Sequence, residues 1–150
     1  MTGRNGYFTL APADVARLGL RAGETVALSP LGSRHLRGLS LSRQRWRSLG
    51  ADGARTLLFR PGPDASTMSR GAHRYLVAGE VEGVPAAYKC RVRSPWWQVP
   101  LVPVADLLLT YMNADTPRLT TNTARVRHLN SVHGVYLNEA TAALGPELLT

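Results

Sequence analysis

The sequence predicts a single domain of the α+β class. Its 150 residues can bury roughly 70% of the unfolded surface in one core, and 44% hydrophobic with 19% charged residues is ordinary for a globular protein. Short strands and short helices follow each other without the regular order of a doubly wound sheet. This composition excludes a disordered tail and a coiled coil. We expect no membrane association, since no apolar run reaches the roughly 18 residues of a membrane span.

The first half of the sequence is predicted to form short strands joined by two short helices. Pro12 suits the first turn of a helix, and Gly19 suits the position just after its end. Ser42 is a candidate N-cap for a short amphipathic helix that reaches Leu49. Strands are predicted at Tyr7–Leu10, Thr25–Leu28, Leu39–Leu41 and Arg55–Phe59, the last ended by Pro61-Gly62-Pro63.

The second half of the sequence is predicted to contain the longest helix and the most apolar strand. The helix begins near Asp64 or Ser66 and ends at Gly79, and its apolar stripe holds Met68, Ala72, Tyr75 and Leu76. Further strands are predicted at Trp97–Val99, Leu107–Tyr111, Leu119–Asn122 and Val132–Leu137. The strand at Leu107–Tyr111 is apolar on both faces and is therefore expected to be central in its sheet. Residues 61–67 read as a loop within one domain.

The charge indicates a polyanionic partner. Eighteen basic residues against ten acidic ones give a net charge of +8, and all the basic residues except Lys89 are arginines. Arginine presents a rigid fork of donors that fits phosphate or the guanine edge, so the pattern favours nucleic acid. The alternative, a GC-rich coding bias, would explain the ratio of arginine to lysine but not the excess of positive charge.

The basic residues are concentrated in the first third of the chain. Residues 1–50 carry eight arginines and two acids, whereas residues 101–150 carry three arginines and four acids. The densest stretch, residues 34–47, has five arginines and no acid. It is either a phosphate-facing surface or a solvated helix face.

Catalytic and metal-binding patterns are not found in the sequence. It lacks a nucleophile elbow, a phosphate-binding loop, a dinucleotide-binding loop and an H-E-x-x-H zinc motif. A two-metal nuclease needs clustered carboxylates, and the histidines at 35, 73, 128 and 133 have no such companions. The single cysteine, Cys90, cannot form an internal disulfide. We therefore predict no catalytic residue and no metal ligand, and the lack of a signal peptide predicts a cytoplasmic protein.

Residues 88–137 combine cations, aromatic rings and amides, which are the groups that a base-reading surface uses. Of the adjacent pair Trp96 and Trp97, one is expected in the core and the other at the surface. Together with two arginines of the densest basic stretch, the candidate DNA contacts are Arg34, Arg37, Arg91, Arg93, Trp97, Arg118, Asn122, Arg125, Arg127, His128 and Asn130.

Four segments in order carry a family resemblance. They are TGRNGYFTL at Thr2–Leu10, SRHLRGL at Ser33–Leu39, YKCRVRSPWWQVP at Tyr88–Pro100, and LLLTYMNADTPRLTTNTARVRHLNSVHGVYL at Leu107–Leu137. Together they resemble the C-terminal half of adenine-specific DNA methyltransferases of restriction-modification systems, of the TaqI kind. The resemblance implies that residues 1–150 form a target-recognition, or specificity, domain that binds double-stranded DNA. A separate domain, which binds S-adenosylmethionine, would flip out an adenine and methylate it.

The sequence departs from the complete family pattern at the catalytic motifs. The glycine-rich S-adenosylmethionine motif and the Asn-Pro-Pro-aromatic motif are absent, and Asn122 is followed by Thr123 rather than proline. We therefore expect no methyl transfer by this chain alone and no cofactor in it, with a catalytic domain acting in cis or in trans. The ending TAALGPELLT suggests an incomplete, excised or naturally split half of a larger methyltransferase. The alternative is a free-standing DNA-binding or regulatory module that needs no methylase partner.

Overall fold

The computed structural model describes residues 2–110 and 117–138, and it confirms the α+β class. Its helices are α1 (Asn5–Phe8), α2 (Pro12–Leu18), α3 (Arg43–Ala51), α4 (Arg70–Val81) and α5 (Tyr88–Arg91). Its strands are β1 (Thr9–Leu10), β2 (Thr25–Ala27), β3 (Leu57–Phe59), β4 (Leu107–Thr110), β5 (Arg118–Thr121) and β6 (His133–Val135). Tyr111, predicted as the end of a strand, and the TAALGPELLT segment lie outside the described residues.

The strands form two small antiparallel sheets. The first has the order β1-β3-β2, with Leu58 of β3 paired to Thr9 and Val26 on either side. The second has the order β5-β4-β6, with Leu108 of β4 opposite Thr120 and Gly134. The predicted central position of the strand that begins at Leu107 is thus confirmed.

Each sheet has its own hydrophobic cluster. In the first cluster, the sheet packs with α2, α4 and the tryptophan-bearing segment that follows α5, around Phe8, Phe59 and Leu76. The second cluster joins β4 to α3 and to the chain before it, and it includes Leu36 and Leu41. No helix within the described residues is long and apolar enough to cross a membrane.

Backbone pairing joins the two sheets. Leu28 follows β2 and donates its N–H to the carbonyl of Thr56, beside β3, at 2.8 Å. On its other side the same short stretch pairs with Arg127, whose N–H donates to Ala27 at 3.1 Å and whose carbonyl accepts from Ser29 at 2.7 Å. The stretch of residues 27–29 therefore belongs to both halves of the fold.

The predicted helix boundaries are confirmed at the end of α2 and the start of α3, where residues next to the boundary cap the helix. Gly19 ends α2 in the left-handed conformation at φ 69°, and the Ser42 hydroxyl caps α3 by accepting from the Arg45 N–H at 3.1 Å. The predicted start of the longest helix is wrong, since Ser69 caps it rather than Asp64 or Ser66. Asp64 instead caps the short 3-10 turn at Ala65–Thr67.

The predicted end of that helix at Gly79 is also wrong, since α4 continues to Val81. A Cβ atom at Gly79 would lie 2.6 Å from the Tyr7 hydroxyl. The glycine therefore serves close packing against Tyr7 rather than helix termination.

Three predicted strands do not form as predicted, and two more are shorter than predicted, Arg55–Phe59 reduced to Leu57–Phe59 and Val132–Leu137 to His133–Val135. Tyr7 and Phe8 lie in the helical turn α1, and only Thr9–Leu10 finds a partner on the three-residue strand β3. The stretch Leu39–Leu41 makes a single bridge, from Ser40 to Thr121. The third, Trp97–Val99, follows a cis peptide at Ser94-Pro95 and is folded into turns.

Candidate nucleic-acid interface

Two segments without acidic residues lie side by side in the structure. Residues 25–51 contain five arginines, and residues 117–138 contain three. Besides the pairing of residues 27–29 with Arg127, the N–H of Leu41 donates to the Thr121 carbonyl at 2.8 Å, and the Thr121 N–H donates to Leu39 at the same distance. The tertiary structure therefore brings together two arginine-bearing segments that are about 80 to 100 positions apart in the chain.

The loop of residues 36–41 is held firmly against β5. Leu36 and Leu41 are both buried at its ends. Between them the Thr120 hydroxyl donates to the Gly38 carbonyl at 3.1 Å, and Gly38 has a φ of 108°, which favours glycine. Arg37 and Leu39 project from this loop and are exposed. The loop thus presents the predicted contact Arg37 on a rigid backbone.

Helix α3 presents three exposed arginines, Arg43, Arg45 and Arg47. Its orientation is fixed by Trp46, whose indole N–H donates to the Leu28 carbonyl at 2.8 Å and whose ring packs on the second cluster. No acidic residue occupies the first turn, so the arginines add positive charge to the positive end of the helix dipole. A nearby anion would relieve this unfavourable arrangement.

A histidine connects this helix to the turn before it. The Arg34 Nε atom donates to His35 Nε2 at 3.1 Å. Partial burial, followed by the positive charges of Arg34 and Arg45, lowers the pKa of His35 below its usual 6.5. Arg34 and Arg45 thus both lie near the His35 imidazole, which places the turn close to the N-terminal part of α3. We call the exposed side chains of Arg34, Arg37, Arg43, Arg45 and Arg47 the arginine surface.

The three arginines of residues 117–138 differ in how accessible their side chains are to a ligand. Arg125 has a φ of 53°, and its side chain is 60% exposed although it pairs with Asp106 at 3.1 Å. Arg127 is half-buried, and its guanidinium donates to the Val102 carbonyl. Arg118 is half-buried in the short strand β5. Of the three, Arg125 is the most accessible to a ligand.

Asn122 is placed in the core rather than on a binding surface. It is 2% exposed, and its amide nitrogen donates to the carbonyls of Ala105 and Val126, both at 2.8 Å. Its amide oxygen accepts the Val126 N–H at 3.1 Å. Since both amide hydrogens and the oxygen are used internally, Asn122 cannot pair with an adenine edge. Its inclusion among the predicted DNA contacts is corrected on this ground.

Trp97 and Arg93 also serve the fold. The Trp97 indole N–H donates to the Gly62 carbonyl at 3.1 Å, and its ring meets that of Trp96 edge to face at 5.8 Å. Both tryptophans are half-buried against the first cluster, so the expectation of one buried and one exposed ring is wrong. Arg93 donates to the Thr2 carbonyl at 2.9 Å and fastens the N-terminal segment.

The remaining predicted DNA contacts are residues outside the arginine surface, and one of them, His128, contacts neighbouring side chains. The His128 ring approaches the Tyr136 hydroxyl at 3.3 Å and packs over Gly134. Asn130 is exposed and lines a cavity of about 320 Å³ together with Lys89. Arg91 is exposed at the end of α5. Within residues 2–110 and 117–138, no three His, Cys, Asp or Glu side chains are grouped as a metal site would require.

The DNA contacts predicted from the sequence did not include the arginines of α3. Arg43, Arg45 and Arg47 lie in the stretch whose charge density was the strongest signal in the sequence. Trp46 and Leu49 mark the buried side of this short helix, and the exposure of the three arginines beside it could have been predicted because ionised side chains are seldom buried without a partner.

Comparison with known proteins assigns the chain to a family. A model of the C-terminal domain of Type II methyltransferase M.Eco57I matches residues 1–149. The chain belongs to this family. The expected relation to the C-terminal part of a restriction-modification methyltransferase is thus confirmed, whereas a closer likeness to the TaqI kind stays a prediction.

A protein that is similar to part of this chain is also a Type II methyltransferase. Type II methyltransferase M.XamI of Xanthomonas campestris pv. amaranthicola is 36% identical over 69 residues. The match covers 46% of this chain and 13% of that protein. The chain therefore corresponds to a small part of the relative's length. No solved structure matches the chain.

Proposed function

We propose that this chain is the DNA-binding, target-recognition part of a site-specific adenine methyltransferase of a restriction-modification system. The observation that supports the proposal is the placement of two acid-free, arginine-bearing segments side by side, with residues 39–41 bonded to Thr121 and residues 27–29 bonded to Arg127. Family membership supports the link to a methyltransferase. The restriction to adenine rests on the sequence resemblance.

The arginine surface would supply affinity by contacting DNA phosphates. Four of its five members sit on the capped helix α3 and on the loop bonded to β5, and the fifth, Arg34, lies in the turn before that loop. Phosphate contacts place a protein on the duplex without reading its sequence. Arg125 is the best candidate for reading a base, because it is exposed on the neighbouring segment and could fork onto guanine.

Methyl transfer itself would belong to another part of the protein, in cis or in trans. The sequence has neither the glycine-rich methyl-donor motif nor the Asn-Pro-Pro-aromatic motif. We therefore propose that S-adenosylmethionine binds to that methyltransferase portion. The present chain would hold the duplex while a target base is flipped out of the stack.

The proposal is tested by titrating labelled duplex DNA with the chain at several salt concentrations. Log affinity should fall linearly with log salt, by about 0.9 for each phosphate contacted. The double variant Arg43→Ala, Arg45→Ala should weaken binding and reduce that slope by about 2 units, because two phosphate contacts are lost.

The matched control is the double variant Arg70→Ala, Arg74→Ala, which removes the same charge from exposed positions on α4. It should retain most of the affinity and the slope. Equal losses in the two double variants would show that net charge, not the arginine surface, determines binding. A wild-type chain that fails to bind duplex DNA at low salt would refute the proposed function.

A further inference from the structure

A cavity of about 310 Å³ lies at the surface where the two hydrophobic clusters meet. Of the residues in its wall, Leu129 belongs to the first cluster and Val132 to the second, and both are buried. Pro100, Val102 and His133 also line it and are exposed. We call it the apolar cavity. It combines an apolar wall with access from solvent, as sites for small planar ligands usually do.

Two imidazole rings, those of His128 and His133, contribute to the wall of the apolar cavity. The His128 ring is held in place, because its Nε2 atom lies 3.3 Å from the Tyr136 hydroxyl and a Cβ atom at Gly134 would overlap the ring. Imidazole is one of the side-chain rings on which unstacked nucleic-acid bases stack. The cavity therefore offers a planar heterocycle both apolar contact and stacking.

A second cavity meets the apolar cavity at Asn130, which lines both. This polar cavity has a volume of about 320 Å³, and its other lining residues are Thr2, Gly3, Asn5 and Lys89. Gly3 has a φ of 89°, and a Cβ atom there would lie 2.9 Å from the Lys89 Cβ, so the N-terminal segment runs directly against the lysine. The only lysine of the chain thus borders a space that adjoins the apolar cavity.

The charge around the two cavities is positive. The Arg127 guanidinium donates to the carbonyl of Val102, in the wall of the apolar cavity, and Lys89 borders the polar cavity. None of the described residues that line either cavity is acidic. A nucleotide in a DNA strand has the matching parts, since its base is planar and phosphates precede and follow it. An apolar side chain of a protein would fit the apolar cavity but would make no use of these cations.

We propose that the two cavities receive one unstacked nucleotide of bound DNA, with its base in the apolar cavity and a phosphate beside Lys89 in the polar cavity. The inference rests on the proposed function, since it takes DNA to be the ligand. It goes beyond that function, because contacts to phosphates and to base edges in a groove leave every base stacked. This nucleotide is not the adenine to be methylated, which would enter the methyltransferase portion. Since a paired base must first leave the stack at a cost in free energy, an unpaired nucleotide should be preferred.

The test compares two short duplexes that differ only in one unpaired nucleotide at their centre. In the first duplex this nucleotide is an adenosine, and in the second it is an abasic sugar-phosphate, so the number of phosphates and the interruption of the helix are the same. The wild-type chain should bind the adenosine duplex about tenfold more tightly, because only there can a base stack in the apolar cavity.

Two variants place the base in the apolar cavity. Val102→Trp fills the cavity from a partly exposed position and should bring the two dissociation constants within about twofold of each other. His133→Ala removes a stacking ring from an exposed position without filling the cavity, and it should lower the preference for adenosine about threefold. The matched control, Val77→Trp, alters an exposed valine of α4 that lines neither cavity, and it should keep the wild-type preference. Circular dichroism and the urea midpoint check that each variant is folded.

The outcomes separate this inference from the proposed function. Equal affinity of the wild-type chain for the two duplexes would overturn the inference and leave the proposed function standing. A preference for adenosine that persists in both Val102→Trp and His133→Ala would place the base elsewhere on the protein and would also overturn it. Binding of adenosine monophosphate without a preference between the duplexes would identify a free nucleotide as the ligand, against a nucleotide of DNA. A chain that binds neither duplex at low salt would refute both proposals.

Discussion

The buried carboxylate of Glu24 ties the turn before β2 to the start of α4. Its oxygens accept from the Ser69 N–H at 2.6 Å, the Ser69 hydroxyl at 2.7 Å and the Arg21 N–H at 2.8 Å. Burial acts to raise the pKa of Glu24, but these hydrogen bonds outweigh it and hold the pKa below its usual 4.5. Ser69 in turn caps α4 by accepting from the Ala72 N–H at 3.0 Å. One acidic residue thus organises the beginning of the longest helix.

Glu24→Gln should lower the free energy of unfolding by about 2 kcal/mol at pH 7, because the amide NH2 that replaces one acceptor oxygen cannot accept from a backbone N–H, and the hydrogen bonds that remain become neutral ones. The folded-state pKa lies below the unfolded one, so this contribution is fully present above about pH 4.5 and disappears as the pH falls through the folded-state pKa. Urea unfolding of both proteins from pH 7 down to pH 3 measures the effect. The difference between them should shrink below about pH 4.5, and a constant difference would contradict the assignment.

At the scale of elements, α4 meets α2 through backbone rather than side chains. A Cβ atom at Gly71 would lie 2.2 Å from the Leu18 carbonyl oxygen and 2.5 Å from that of Gly19. These atoms belong to the C-terminal end of α2, where Gly19 adopts its left-handed conformation. Since neither backbone can move aside alone, a glycine is required in the first turn of α4.

Gly71→Ala should therefore destabilise the protein by more than about 2 kcal/mol, although alanine favours a helix by about 1 kcal/mol over glycine. Thermal and urea unfolding provide the measurement. Gly23→Ala is the matched control, because a Cβ atom there would meet no neighbour within 4 Å. A Gly71→Ala protein as stable as that control would show that the two helices do not pack so closely.

At the scale of the whole molecule, the two sheets should unfold together. Residues 27–29 pair with β3 and Arg127, and the Trp46 indole bonds to the Leu28 carbonyl at 2.8 Å. Unfolding of either sheet would expose backbone groups and apolar side chains of the other sheet and its cluster. We therefore regard the described residues as one cooperative unit.

The three tryptophans allow this coupling to be measured. Trp46 lies in the second cluster, whereas Trp96 and Trp97 pack against the first. In a Trp46→Phe protein, fluorescence reports on the first cluster, while circular dichroism still includes α3. Both signals should give the same urea midpoint, lowered from the wild-type value by the lost hydrogen bond. Two separate transitions would indicate that the halves unfold independently.

Local features of the sequence predicted a good part of the fold. Pro12, Gly19 and Ser42 marked helix ends correctly, because capping depends only on neighbouring residues. The strand from Leu107 was recognised as central from its apolar residues on both faces. The strand predicted at Leu39–Leu41 does not form. A strand requires a partner of matching length, and these residues make only a single bridge to β5.

For the candidate site, the sequence by itself determined the excess of arginine, its concentration in residues 34–47, and the mixture of cations, aromatic rings and amides in residues 88–137. Side-chain roles within those segments were not determined in this way. Asn122 and Arg125 are both polar and three positions apart, yet one is saturated by the backbone of Ala105 and Val126 while the other is exposed. Only the tertiary structure decided between them and placed residues 36–41 beside β5, because hydrogen bonding and burial depend on contacts between residues far apart in the chain.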